Sequence, residues 1–191
     1  MVVAKESSVY FEKLQINRER GTFSCWKSSK FYYESAIENT CMISVYNEHI
    51  YLIGGCSLFF KDVDTVSRYE ISTDTWKVMP TLNQTRKFTN GCCLDGVLYV
   101  VGGVIGVDLQ VLGSIETFDV KVHDATWKLI QLSEPNPLLR GYCVVVPLNH
   151  EDIAILGGSN NDGDDLGDIA VYNIKSKTCA IVSEEGPFVF W

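Results

Sequence analysis

The chain has 191 residues, 46% of them hydrophobic, enough for one domain with a sizeable buried core. A net charge of −8 and a pI near 4.8 give a field that repels phosphate, which argues against nucleic acid and anionic membrane as partners. The longest apolar runs, such as Val97 to Val101 and Cys143 to Leu148, are strand length, far short of the roughly 20 residues a membrane helix needs, and the first twenty residues are broken by charge too often for a secretion signal.

In chain order, the stretch SSVYFEKLQINRERGTFSCW reads as two strands around a turn, ending at Trp26. From there one pattern is written three times. A polar turn (NEH, then DG, then NHED) precedes an apolar strand that ends in a glycine pair: IYLIGG at Gly54/Gly55, LYVVGG at Gly102/Gly103 and IAILGG at Gly157/Gly158. A variable loop follows, then a β-rich run with an aromatic: VSRYEI with Tyr69, IETFDV with Phe118 and IAVYNI with Tyr172. A further turn leads to Trp76 in the first unit and Trp127 in the second, while Cys179 stands where the third tryptophan is expected. The repeat length is about 50 residues. The units span 31–80, 81–131 and 132–183, with 1–30 as the last strands of a preceding partial unit and 184–191 as the start of another.

Each unit therefore predicts a four-stranded antiparallel sheet that is apolar on both faces. Solvent cannot satisfy such a sheet, so copies must stack face to face. The glycine pair marks a buried strand end where no side chain fits, and the aromatics fill the space between sheets.

This pattern resembles the kelch repeats of β-propellers, in which a Gly-Gly pair, a Tyr followed by an acid, and a Trp recur at about this period. Here Glu70 and Asp119 follow the aromatics of the first two units, and Asn173 departs from the pattern in the third. The resemblance implies an all-β fold, a β-propeller of four-stranded antiparallel blades. About three and a half are present, an incomplete ring or open arc, since closed rings hold four to eight. The remaining blades belong either to a longer chain or to another copy or polypeptide. The apolar faces of an open arc would invite self-association.

The resemblance also places Arg86 and Arg140 before the first strand of their blades, with Glu38 at the same position in the first blade. Two residues on lie Phe88 and Tyr142, and Thr40 in the first blade, at the channel mouth. An aromatic near an arginine is the composition of an interaction hot spot. Alternatively the arginines tie blade to blade and Phe88 fills the core. The loop with Leu58, Phe59 and Phe60 and the apolar loop 104–114 form a binding patch or pack on each other. Asp162, Asp164, Asp165 and Asp168 crowd the loop SNNDGDDLGD. They read as a solvated turn, a partner-facing acidic patch, or a calcium site, although the spacing departs from the order calcium loops use.

The seven cysteines contain no C-x-x-C pair, so they read as free thiols of a reducing compartment and predict a cytoplasmic location, without a metal or cofactor. His49, His123 and His150 fall in or beside turns, and no catalytic motif is visible. The function the resemblance implies is a non-catalytic scaffold that binds a protein partner, in substrate recruitment or as a cytoskeletal or signalling adaptor. The alternative is a kelch-fold enzyme of oxidase, epimerase or cyclase type with its site at the channel mouth.

Overall fold

The structure, a computed structural model, describes residues 8–17, 22–32, 37–46, 48–57, 61–133 and 135–183. Every regular element among them is a β-strand. The chain divides into two compact units between Ile37 and Glu38. The first holds one antiparallel hairpin, β1 (Ser8–Asn17) and β2 (Thr22–Tyr32), in the segment expected to close a preceding blade. The segment 184–191 lies outside the described residues, as do Leu58, Phe59 and Phe60.

After the two-residue β3 (Ile37–Glu38), three four-stranded antiparallel sheets follow. The first blade is β4 (Cys41–Val45), β5 (His49–Ile53), β7 (Val66–Glu70) and β8 (Thr75–Met79), with the short β6 (Cys56–Ser57) in its loop. The second is β9 (Asn90–Leu94), β10 (Val97–Val101), β13 (Ser114–Asp119) and β14 (Lys128–Gln131), and its loop folds into the small hairpin β11 (Val104–Ile105) and β12 (Gln110–Val111). The third is β15 (Val144–Pro147), β16 (Asp152–Leu156), β17 (Ile169–Asn173) and β18 (Thr178–Ser183). Within every blade the spatial order equals the chain order, because each connection is a turn or loop between antiparallel neighbours.

The second strand of each blade explains the repeated apolar run. On β10, Leu98 and Val100 join Tyr51 and Ile53 in the core between the first and second blades. Tyr99 and Val101 join Ile153 and Ile155 in the core between the second and third. Side chains alternate across a strand, so a strand covered on both faces must be apolar at every position. Each fully buried aliphatic contributes about 1.5–3 kcal/mol. The outer strands β8 and β14 are largely exposed, and they leave Val78 and Leu129 in solvent. Cys179 pairs with Tyr172 in the register that Trp76 keeps with Tyr69, so it occupies the tryptophan position.

One alignment needs correction. Asn39, Phe88 and Tyr142 each lie two residues before the first strand of their blade and share left-handed φ values of 56, 51 and 58°. They are joined by backbone bonds, Phe88 N–H to the Asn39 carbonyl at 3.2 Å and Tyr142 N–H to the Phe88 carbonyl at 3.0 Å. Asn39 instead of Thr40 is therefore the counterpart of Phe88 and Tyr142, and Ile37 instead of Glu38 stands at the arginine position. The cause is turn length: Asp95 and Gly96, both at positive φ, close the second blade's hairpin in two residues, whereas the first takes three, 46–48. Counting back from the glycines slips by that one residue.

Candidate interaction face

The glycine pair and the arginine turn out to be two halves of one joint. Gly55 N–H donates to the Arg86 carbonyl at 2.8 Å, and Gly103 N–H donates to the Arg140 carbonyl at 3.1 Å. A Cβ on Gly54 would sit 2.4 Å from the Arg86 carbonyl oxygen, and one on Gly102 would sit 2.1 Å from that of Arg140. These glycines, at φ 62 and 59°, receive the backbone of the next blade, an approach that any side chain would block.

The third glycine pair departs from the expected buried strand end. Gly157 is buried, but Gly158 is only half-buried, so that expectation is corrected at Gly158. The reason is its place in the series: Gly55 and Gly103 are each covered by the arginine backbone of the following blade, and among the described residues no following blade meets Gly158. Glycine is still required there, because its φ is 106° and a Cβ would sit 2.5 Å from the Gly141 carbonyl oxygen of its own blade.

The guanidinium groups turn the other way, into their own blades. Arg86 donates from Nη1 to the Gly102 carbonyl at 2.8 Å and from Nη2 to Ser114 Oγ at 3.1 Å, and pairs with Glu116 at 3.0 Å. Glu116 also accepts the N–H groups of Asn83 and Gln84, at 2.7 and 3.1 Å. Arg140 donates from Nε to the Pro137 carbonyl at 2.7 Å and from Nη1 to the Gly157 carbonyl at 3.1 Å, and pairs with Asp168 at 2.6 Å. Burial draws the Arg86 guanidinium below its usual pKa, and Glu116 opposes that shift. With exposures of 0% and 2%, Arg86 and Arg140 cannot touch a partner, so as partner-binding candidates both are corrected to structural clamps. Sequence reading missed Glu116 because it lies 30 residues from Arg86 and has no counterpart in the other blades. Asp168 did carry a signal: it stands four residues before Tyr172, as Ser114 stands four before Phe118, and both positions meet an arginine.

Phe88 and Tyr142 are brought together. Their rings stack at a centroid distance of 4.5 Å, with Phe88 half-buried and Tyr142 49% exposed. Left-handed φ is uncommon for a bulky residue, and here the backbone bonds along the Asn39, Phe88 and Tyr142 series hold it. The loops after the second strands lie on the same face and are stitched to one another. Lys87 Nζ meets Asp62 of the first loop at 2.7 Å and donates to the Gly106 carbonyl of the second at 2.9 Å. Val111 N–H of the second loop donates to Asn161 Oδ1 of the third at 2.7 Å. Val104, Val111 and Leu112 are buried, which leaves Val107 and Leu109 as the exposed apolar tip of the second loop. Asp162, Asp164 and Asp165 are exposed on the third, whose backbone folds around Asn160 Oδ1.

Among the described residues no group of histidine, cysteine or acidic side chains is arranged to hold a metal ion. Burial pushes the thiols of Cys41 and Cys92 up to about 12 and that of Cys143 to about 11, so they stay protonated and unreactive at neutral pH. His49 pairs with Glu70 at 2.6 Å, His123 with Asp124 at 2.8 Å and His150 with Asp95 at 3.1 Å.

The family model described as the Kelch motif matches residues 43–83 and 85–130, the bodies of the first two blades. The first two blades of this chain thus carry the kelch motif. An F-box/kelch-repeat protein of Arabidopsis thaliana is 38% identical over 94 residues, covering 47% of this chain and 22% of the relative. A kelch repeat-containing protein of Dictyostelium discoideum is 25% identical over 174 residues, covering 79% of this chain and 24% of that one. The chain thus spans about a quarter of the length of these curated relatives. The solved structure of YjhT superposes with a TM-score of 0.73 at 12% identity, over 93% of this chain and 60% of that one, and so shares the propeller fold.

Proposed function

We propose that the chain is a non-catalytic interaction module that holds a protein partner on the face bearing Phe88 and Tyr142. The observation that carries this reading is the Tyr142 ring, half exposed while its backbone is bonded and its face is stacked on Phe88. An aromatic anchor that is already fixed loses little conformational freedom on binding, and aromatics dominate interface hot spots. Val107 and Leu109 extend the apolar surface, and Asp162, Asp164 and Asp165 supply a charged rim, so the matching partner surface is apolar with a basic border. The F-box/kelch relatives favour a recruiting role over a cytoskeletal or signalling one. Free, buried thiols fit a cytoplasmic setting.

The test is quantitative capture of partners from cell extract by the immobilised chain, compared with Tyr142→Ala and Leu109→Asp. A partner whose capture falls at least tenfold in both variants, with melting unchanged, is the expected result. An undiminished partner set would place binding elsewhere. Copper or zinc at one equivalent in the purified protein would overturn the non-catalytic reading in favour of a kelch-fold enzyme.

A further inference from the structure

In this acidic chain one cleft is cationic. It opens between the first blade and the β13–β14 turn of the second, with a volume of about 380 Å³, and its lining includes Arg68, Lys77, Val78, Met79, Lys121, Val122 and one carboxylate, Asp124. Tyr51, Arg68 and Lys77 are direct cross-strand partners on β5, β7 and β8, so they form one row on a single sheet face. Tyr51 belongs to the core shared with the second blade, which orients that row toward it.

Placing two cations directly opposite each other costs stability, and sequences ordinarily relieve it with an acid. None does so here: among the described residues no carboxylate forms an ion pair with Arg68, Lys77 or Lys121. The nearby acids are engaged otherwise. Glu70 pairs with His49 while also feeling the charge of Arg68, Asp124 pairs with His123, and Asp119 accepts the Lys121 backbone N–H at 2.9 Å. Arg68 Nε is buried without an acceptor. The cleft also has an apolar wall, Val78 and Val122, 82% and 55% exposed, beside Met79. A pair of facing cations that no carboxylate closes by an ion pair, beside a cavity of ligand size, marks a candidate binding site.

We propose that this cleft binds a phosphate monoester carried on an aromatic ring, with the ring against Val78, Met79 and Val122 and the phosphate among Arg68, Lys77 and Lys121. The three cations outnumber the one carboxylate of the lining, Asp124, and charge-assisted bonds to phosphate are the strong ones. The site is separate from the loop face, because the turns that border it lie at the opposite ends of the strands.

The experiment titrates phenyl phosphate into the full 191-residue chain and follows binding by calorimetry and amide NMR shifts. Saturable one-site binding is expected, with phenol and inorganic phosphate each at least tenfold weaker. Lys77→Ala and Lys121→Ala, both exposed and so compatible with the fold, should each weaken binding about tenfold. Lys175→Ala, whose lysine pairs with Glu151 in the third blade, should leave it unchanged. A phosphotyrosine peptide that binds more tightly than phenyl phosphate identifies a modified protein as the source, and equal affinity identifies a small compound. Absence of saturation, equal affinity for inorganic phosphate, or wild-type affinity in both lysine variants overturns the proposal.

Discussion

In the second blade Arg86 closes on Glu116 with both side chains 0% exposed, whereas in the third Arg140 closes on Asp168, which keeps 15% of its side-chain surface in solvent. The backbone joint beneath the two is the same, a glycine N–H on an arginine carbonyl. The first blade has neither charge: Ile37 stands at the arginine position, and Thr65 and Ser67 stand where the other blades place Asp168 and Glu116. Cation and anion are present together or absent together, as they must be where an unpaired buried charge costs several kcal/mol. The backbone joint is thus the invariant part of blade stacking, and the ion pair is an addition whose strength depends on burial.

The largest expected effect breaks the buried pair. Arg86→Met should cost about 3–5 kcal/mol because Glu116 remains buried and loses its counter-charge. Arg140→Met should cost roughly 1–3 kcal/mol, because Asp168 can still reach water. Urea melts of both variants check this, and equal losses would mean that the acids' exposure does not matter. Next comes the shared joint: Gly102→Ala should cost roughly 2–4 kcal/mol from the clash with the Arg140 carbonyl and the left-handed backbone. Gly54→Ala should match it, while Gly167→Ala, with open space around it, should stay within about 0.5 kcal/mol.

The smallest effect concerns the third blade's longer hairpin. Asp152 accepts hydrogen bonds from Asn149 Nδ2 and Asn173 Nδ2, both at 2.8 Å, and these hold its carboxyl below its ordinary pKa. A lowered folded pKa contributes stability that is present above the unfolded value and lost as the pH falls through the folded one. Melts at pH 7 and pH 3 should show Asp152→Asn less stable than wild type at the higher pH and nearly equal at the lower. The second blade closes the same hairpin with Asp95 and Gly96 and lacks this dependence on Asn149 and Asn173.

Most of the fold was legible because the repeat is a physical instruction. The alternation of Leu98, Tyr99, Val100 and Val101 between two cores follows from a strand covered on both faces. Tyr69, Phe118 and Tyr172 were legible for the same reason. Gly158 shows the limit of that reading: the repeat located it, but its burial depends on a neighbouring blade. The site was less legible. Phe88 and Tyr142 were located by their spacing, yet their stacking depends on the distance between blades, and burial was needed to choose the structural reading of Arg86 and Arg140 over the hot-spot one. The cationic row was invisible because Arg68 and Lys77 become neighbours only through the register of β7 on β8.

The sequence by itself determined the strand period, the blade count among the repeats and the glycine joints, because each follows from local backbone geometry and from the need to bury apolar faces. Only the tertiary structure decided which charges meet. Glu116 reaches Arg86, Asp62 reaches Lys87, and Arg68 is left beside Lys77 through contacts between strands distant in sequence, and burial then decides whether each charge is clamped or available to a ligand.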